Sequence, residues 1–190
     1  MEKHRCAWCG SEPVYVEYHD KEWGVPVHDD KLLFEFLVLE SFQAGLSWIT
    51  ILRRRAHFKK AFLNFDLKKV AELTENDVDI LLQNESVIRH RGKIEASIAN
   101  AKAFMKVQDE FGSFDAYLWA FVDGNPIQNK VKSLKDIASK TAISDKISKD
   151  LKKRGFKFVG STTIYAYMQA IGMVNDHIIE CFRYKELGGK

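Results

Sequence analysis

Apolar residues along the chain recur at three- and four-residue spacing far more often than they alternate, which predicts a mainly α fold. Only Pro13, Pro26 and Pro126 interrupt the long periodic stretches. One helix is expected to be capped by Asp29 or Asp30, to carry Leu33, Phe36, Leu37 and Glu40 on one face, and to break near Gly45. A second begins near Ser47. Phe65-Asp66, Thr74-Glu75-Asn76-Asp77 and Asn84-Glu85 punctuate short helices, and Ile94, Ile98, Ala101 and Met105 mark a longer one over Lys93 to Val107. Asp123-Gly124-Asn125-Pro126 reads as a turn, and the polar stretch that follows, to about Lys140, as a mobile loop.

The C-terminal third is more specific. Ile143, Ile147 and Leu151 share a helix face that ends after Lys152-Lys153-Arg154, where Gly155 fits the left-handed position of a C-terminal cap. Phe156-Lys157-Phe158-Val159-Gly160 makes a short hairpin, Ser161 is placed to cap the next helix, and Ile164, Tyr165, Met168 and Ile171 form its apolar stripe. The unit is helix, hairpin, helix, over about 143–172. A glycine before a helix N-terminus leaves backbone N–H groups open to an anion, and the helix dipole favours negative charge there. A DNA phosphate fits such a turn. Lys152, Lys153, Arg154 and Lys157 flank it, with further basic clusters at Arg53-Arg54-Arg55 and Arg89-His90-Arg91-Gly92-Lys93.

Composition adds boundaries. The 190 residues are 46% hydrophobic and 29% charged, enough for one substantial core, so a single unit over 1–190 is expected, with a helical lobe about 29–140. The net charge of +3 is too mild to argue nucleic-acid binding by itself. No apolar run approaches the roughly 18 residues that a membrane helix needs, and Met1-Glu2-Lys3-His4-Arg5-Cys6 is too polar for a secretory signal, so no membrane contact and a cytoplasmic location are expected. Three cysteines cannot all pair as disulfides, nor can they supply a four-cysteine iron–sulfur cluster.

Several residue sets bear on chemistry. Glu40 shares its helix face with Leu33, Phe36 and Leu37, so it is either a buried carboxylate or a glutamate at a frayed helix end. Trp8, Tyr18, Trp23 and Trp48 fill a core or form a flat electron-rich slot for a cationic ring, where cation–π attraction reaches ~2 kcal/mol when desolvated. Cys6, His19, His177 and Cys181 form a possible two-cysteine, two-histidine metal set, with Cys9 as an alternative to Cys6. His177 and Cys181 are four residues apart, as one helical turn requires.

Five stretches taken together carry a resemblance: Tyr18-His19-Asp20-x-Glu22-Trp23-Gly24-Val25-Pro26, Gln43-Ala44-Gly45-Leu46-Ser47-Trp48-Ile49-Thr50, Ile88-Arg89-His90-Arg91-Gly92-Lys93-Ile94, Lys152-Lys153-Arg154-Gly155-Phe156-Lys157-Phe158-Val159-Gly160 and Val174-Asn175-Asp176-His177. In this order and spacing, over nearly the whole chain, the sequence resembles DNA-3-methyladenine glycosylase I, a family of helix-hairpin-helix DNA glycosylases. The resemblance implies excision of 3-methyladenine from double-stranded DNA containing alkylated purines, with free 3-methyladenine as product; a monomer is expected because a single active unit suffices. The resemblance makes Glu40 the residue that recognises the modified base, Trp48 the stacking surface, Tyr18 a wall, and Trp8 and Trp23 lesser contributors. Leu46, after Gly45, becomes the wedge that fills the gap in the duplex, and Lys153, Arg154, Lys157 and Gly160 become DNA contacts. The spacing from Cys6 to His19 matches the family, which selects Cys6 over Cys9 and implies a structural Zn2+ clasping the N- and C-terminal segments.

Two departures from the wider superfamily bear on mechanism. Strand-cleaving members carry a lysine two residues after the last hairpin glycine, where Thr162 stands here, so no covalent amine intermediate is expected. Many relatives have a carboxylate where Asn175 falls. The neighbouring Asp176 is expected to cap a helix, and a cationic lesion that leaves as a neutral base needs little acid or base assistance.

Overall fold

The helix expected from Asp29 onward is the one around which the others pack. In a computed structural model, which describes residues 3–190, Asp29 caps α2 (Asp30–Gln43) by accepting a hydrogen bond from the Leu32 amide at 2.8 Å. Met1 and Glu2, which open the polar start, lie outside the described residues. Every residue from Leu33 to Phe42 is buried, so α2 presents no solvent face over that span, whereas the sequence suggested one inward stripe. It packs against α3 (Trp48–Ala61), α6 (Arg91–Phe111), α7 (Phe114–Trp119) and α9 (Ser161–Ala170). One cluster of buried side chains runs from Cys6 to Cys181.

The short elements follow their punctuation. α1 (Pro13–Lys21) opens on proline, whose missing N–H is harmless in a first turn. Asp66 caps α4 (Leu67–Ala71), and Thr74 with Asp77 makes a reciprocal capping box on α5 (Glu75–Gln83). α6 is longer than the Lys93–Val107 expected. The His90 ring caps it at 3.2 Å from the Lys93 amide, and Gly112, at φ +86°, ends it. The stretch expected as a loop to Lys140 carries structure. β1 (Ile127–Gln128) pairs in parallel with β2 (Val174–Asn175), and Ser133 and Asp136 form a capping box on a single 3-10 turn.

α8 (Ala142–Lys153) and α9 flank the expected hairpin, with Gly155 at φ +94° in the left-handed region. Ser161 is not the cap of α9. Gly160 takes that position, and the Ser161 hydroxyl instead lies 2.8 Å from that of Ser144 on α8. Buried Asn100 of α6 fixes the turn from below, accepting from the Lys157 amide at 2.7 Å and donating to its carbonyl at 3.1 Å. His177 and Cys181 do not share a helix either. They flank a turn that precedes α10 (Phe182–Glu186), which Cys181 begins as its N-cap.

Candidate active site

α2, α3 and the segment around α1 meet at a cavity of about 230 Å³ lined by Trp8, Tyr15, Tyr18, Trp23, Glu40, Gln43, Trp48, Ile137, Ala166 and Gln169. All five expected base-binding residues are in this wall. Tyr18 and Trp48 stand 5.5 Å apart between ring centroids, and Trp8 meets Trp23 edge-on at 4.8 Å. Glu40 is 4% exposed, which settles the choice between a frayed end and a buried carboxylate.

Among the described residues, no hydrogen bond reaches the Glu40 carboxyl or the Tyr18 hydroxyl, and the indole N–H groups of Trp8 and Trp48 are buried without a partner. Buried polar atoms are nearly always paired, so this concentration in one cavity marks groups kept free for a ligand. Burial alone pushes the Glu40 carboxyl up to about 8. Burial also raises the Tyr18 phenol, with Glu40 adding to it, so that hydroxyl remains a donor at neutral pH.

The turn between α2 and α3 holds Leu46 in the open. Gly45 adopts φ +83°, and Leu46 is 37% exposed. Two side chains pin this turn. Gln43 Nε2 donates to the Leu46 carbonyl at 2.6 Å, and buried Lys93 Nζ donates to the carbonyls of Phe42 and Ala44 at 2.8 and 2.7 Å.

The basic clusters divide on inspection. Arg53 pairs with Glu12, Arg55 with Glu22 and Glu35, and Arg91 with Glu75, Asp79 and Glu95, while Arg54 donates to backbone carbonyls. These hold the fold together. Arg154 behaves in the same way, bonded to Asp150 and Glu110 at 2.7 and 2.6 Å and lying over Phe111 and Tyr117. Lys153 and Lys157 are exposed, with no carboxylate partner among the described residues, and Gly160 opens the start of α9.

Cys6, His19, His177 and Cys181 converge at the far end of the Trp23 wall, all buried, with their ligand atoms within 4.8 Å of one another. Cys9 is outside the set, its sulfur 3.9 Å from the Gly10 carbonyl. His177 Nδ1 lies 3.6 Å from Cys6 Sγ and 3.5 Å from Cys181 Sγ, and His19 Nε2 lies 3.5 Å from Cys181 Sγ. Bonds of about 2.3 Å to sulfur and 2.1 Å to nitrogen around a tetrahedral ion put S and N about 3.6 Å apart, so the four can hold a metal. Each histidine's other nitrogen is engaged, Nδ1 of His19 with Asp20 at 2.8 Å and Nε2 of His177 with the Trp23 carbonyl at 3.0 Å. Asp20 is itself held down to about 2, first by Arg5 and further by His19. The Cys6 contact, with those of His177 and His19, holds the Cys181 thiol well below its ordinary range.

Of Asn175 and Asp176, only the second departs from expectation. Asn175 is buried and structural, donating to Gln128 Oε1 and the Tyr184 carbonyl. Asp176 caps no helix. Its carboxylate accepts from Tyr165 at 2.8 Å, Gln169 at 2.7 Å and Asn129 at 2.6 Å. Thr162 is an exposed residue in the first turn of α9. Tyr15, Gln43, Ile137, Ala166 and Gln169 are wall residues that the sequence reading did not single out. Of these, Gln43 stands in a stretch that carries the family resemblance, and Gln169 is a polar residue beside the apolar stripe of α9.

Comparison with known proteins agrees with this geometry. The family model described as Methyladenine glycosylase matches residues 8–184. The DNA-3-methyladenine glycosylase of Haemophilus influenzae is 48% identical over 177 residues, covering 93% of this chain and 96% of its own. A crystal structure of 3-methyladenine DNA glycosylase I superposes with a TM-score of 0.92 at 50% identity, covering 94% of this chain and 98% of the other. The Staphylococcus aureus 3-methyladenine DNA glycosylase I, whose structure addresses 3-methyladenine recognition, gives 0.91 at 38% identity over 94% and 95% of the two chains. With so nearly complete a match in sequence and in fold, the chain belongs to the methyladenine glycosylase family.

Proposed function

We propose that this protein is a monofunctional DNA glycosylase that hydrolyses 3-methyladenine from alkylated DNA and leaves an abasic site. The observation that carries the reading is the unpartnered, buried Glu40 in an aromatic cavity beside Tyr18 and Trp48. Kinship with DNA-3-methyladenine glycosylases supports the same substrate.

The flipped lesion is a purine carrying positive charge until its bond to the sugar breaks. Trp48 and Tyr18 offer π faces to that cation, and Glu40 faces it with a carboxyl whose ionisation the cation favours. Trp8 and Trp23 complete the wall. Water attacks C1′, the C1′–N9 bond breaks, its electron pair neutralises the departing base, and the attacking water loses a proton to solvent. Thr162 offers no amine, so no Schiff base forms. Extrusion costs a few kcal/mol, less for a damaged base that stacks poorly.

On the DNA side, Leu46 fills the space the lesion vacates, with Gly45 giving the turn its shape, while Lys153, Lys157 and the backbone at Gly160 contact phosphates. Arg154 supports that surface through Glu110 and Asp150. Cys6, His19, His177 and Cys181 would hold a structural zinc, which would tie the segment bearing Trp8 and Tyr18 to the C-terminal turn. The same reading takes residues 1–190 as one glycosylase unit, acting as a monomer in the cytoplasm. No helix among the described residues is long and apolar enough to cross a membrane. Incubating the protein with methylated duplex DNA and separating the released bases tests the proposal; free 3-methyladenine supports it, and release of a different base alone, or of none, overturns it.

A further inference from the structure

Gln169 lines the lesion cavity, and its amide is not free to turn. Its Nε2 donates to Asp176 at 2.7 Å, and the reversed amide would set oxygen against carboxylate oxygen at that distance. Asp176 is itself fixed by Tyr165 and Asn129, so the carboxylate is held as an acceptor by three donors. Gln169 Oε1 makes no hydrogen bond among the described residues and is the group left for the cavity.

We propose that Gln169, oriented by Asp176, is a specificity-determining acceptor that selects a 6-amino purine over a 6-oxo purine. This rests on the reading of the cavity as the lesion site. A 3-methyladenine offers an exocyclic N–H to a fixed carbonyl oxygen, whereas 3-methylguanine places its own oxygen at that edge and meets an acceptor with an acceptor. A rejected partner left unpaired in a buried site discriminates more strongly than a lost van der Waals contact. Asp176 acts through Gln169 and is a positioning residue.

The test measures single-turnover release of both bases from one methylated duplex by wild type, Gln169→Met and Asp176→Asn. The wild-type arm comes first, and if it releases no 3-methyladenine, the reading of the cavity fails and this inference with it. Given wild-type release, the ratio of 3-methyladenine to 3-methylguanine rates should fall roughly three- to tenfold in Gln169→Met, the worth of one neutral hydrogen bond. It should fall in the same direction in Asp176→Asn, whose amide lets Gln169 turn. Thermal melts accompany both variants, and if Asp176→Asn does not fold, Gln169→Met decides. Rates that decline in proportion, or a ratio within twofold of wild type, would show that the pair is merely structural and overturn the assignment.

Discussion

Glu35 and Glu40 lie on the same buried helix, and only Glu35 is given a cation. Arg55 Nε donates to Glu35 at 2.6 Å, with its guanidinium also over the Phe36 ring, while Glu40 faces the aromatic cavity without a partner. A fold able to neutralise one buried carboxylate leaves the other exposed to whatever enters the cavity. Leaving a carboxyl unpaired in the interior is unfavourable, which is why such groups concentrate at functional sites.

This cost gives stability a definite pH dependence. Glu40 holds its proton to about 8 in the fold, from an ordinary value of 4.5, so the unfolded chain releases the proton first as pH rises. The fold therefore loses stability from this group between roughly pH 4.5 and 8, by on the order of 5 kcal/mol, and retains it fully below that window. Glu40→Gln should melt at a higher temperature than wild type at pH 8 and close to wild type at pH 5. Melting curves at the two pH values check this, and a constant difference would remove burial as the cause.

Lys153 and Arg154 are neighbours that should respond differently. Lys153→Ala should weaken binding to damaged and undamaged duplexes alike and lower the magnitude of the salt slope by about one. Arg154→Ala should act mainly on stability, because its guanidinium is bonded to Glu110 and Asp150. Binding isotherms at several salt concentrations, beside melts of both variants, separate the two roles.

For the metal cluster, Cys181→Ala should lower the melting temperature and the zinc content together, whereas Cys9→Ala should leave both nearly unchanged. Structural zinc contributes on the order of 10 kcal/mol in small peptides, and a larger core softens the dependence. Metal analysis beside thermal melts decides between the two cysteines. Full zinc in Cys181→Ala would contradict the ligand set.

The buried ammonium of Lys93 should matter to the turn that carries Leu46. Lys93→Met leaves the Phe42 and Ala44 carbonyls without their donor and should destabilise the fold by about 1–3 kcal/mol. Excision should fall further than binding, because Leu46 loses its fixed turn. Single-turnover rates and isotherms at a temperature where the variant is fully folded check the split.

These cases also show what the sequence could carry. Asp29, Thr74 and Gly155 announced their elements because caps and left-handed glycines act through neighbouring residues. Glu40 and Trp48 emerged from helical spacing and motif resemblance. Lys93 reads as part of a charged cluster because nothing nearby in sequence reveals the Phe42 and Ala44 carbonyls that it reaches. Asp176 reads as a cap because nothing in the sequence shows that the chain turns back to bring Tyr165 and Gln169 of α9, and the more distant Asn129, onto its carboxylate. Ser161 and the His177–Cys181 turn were misplaced by one structural step each: a serine beside a glycine does not say which residue begins the helix, and a four-residue spacing fits a turn as well as a helix.

On the proposed function, the unpartnered Glu40 carboxyl and the Trp48 face carry base removal, while phosphates supply most of the affinity. The direct measurement is single-turnover release from a duplex containing 3-methyladenine, run for wild type, Glu40→Gln and Trp48→Ala beside binding isotherms for the same duplex. Wild type should yield free 3-methyladenine and an uncleaved strand bearing an abasic site. Both variants should release the base at least about tenfold more slowly while binding the duplex nearly as well as wild type, one lost transition-state contact corresponding to roughly that factor. Wild-type release rates in both variants would contradict the account.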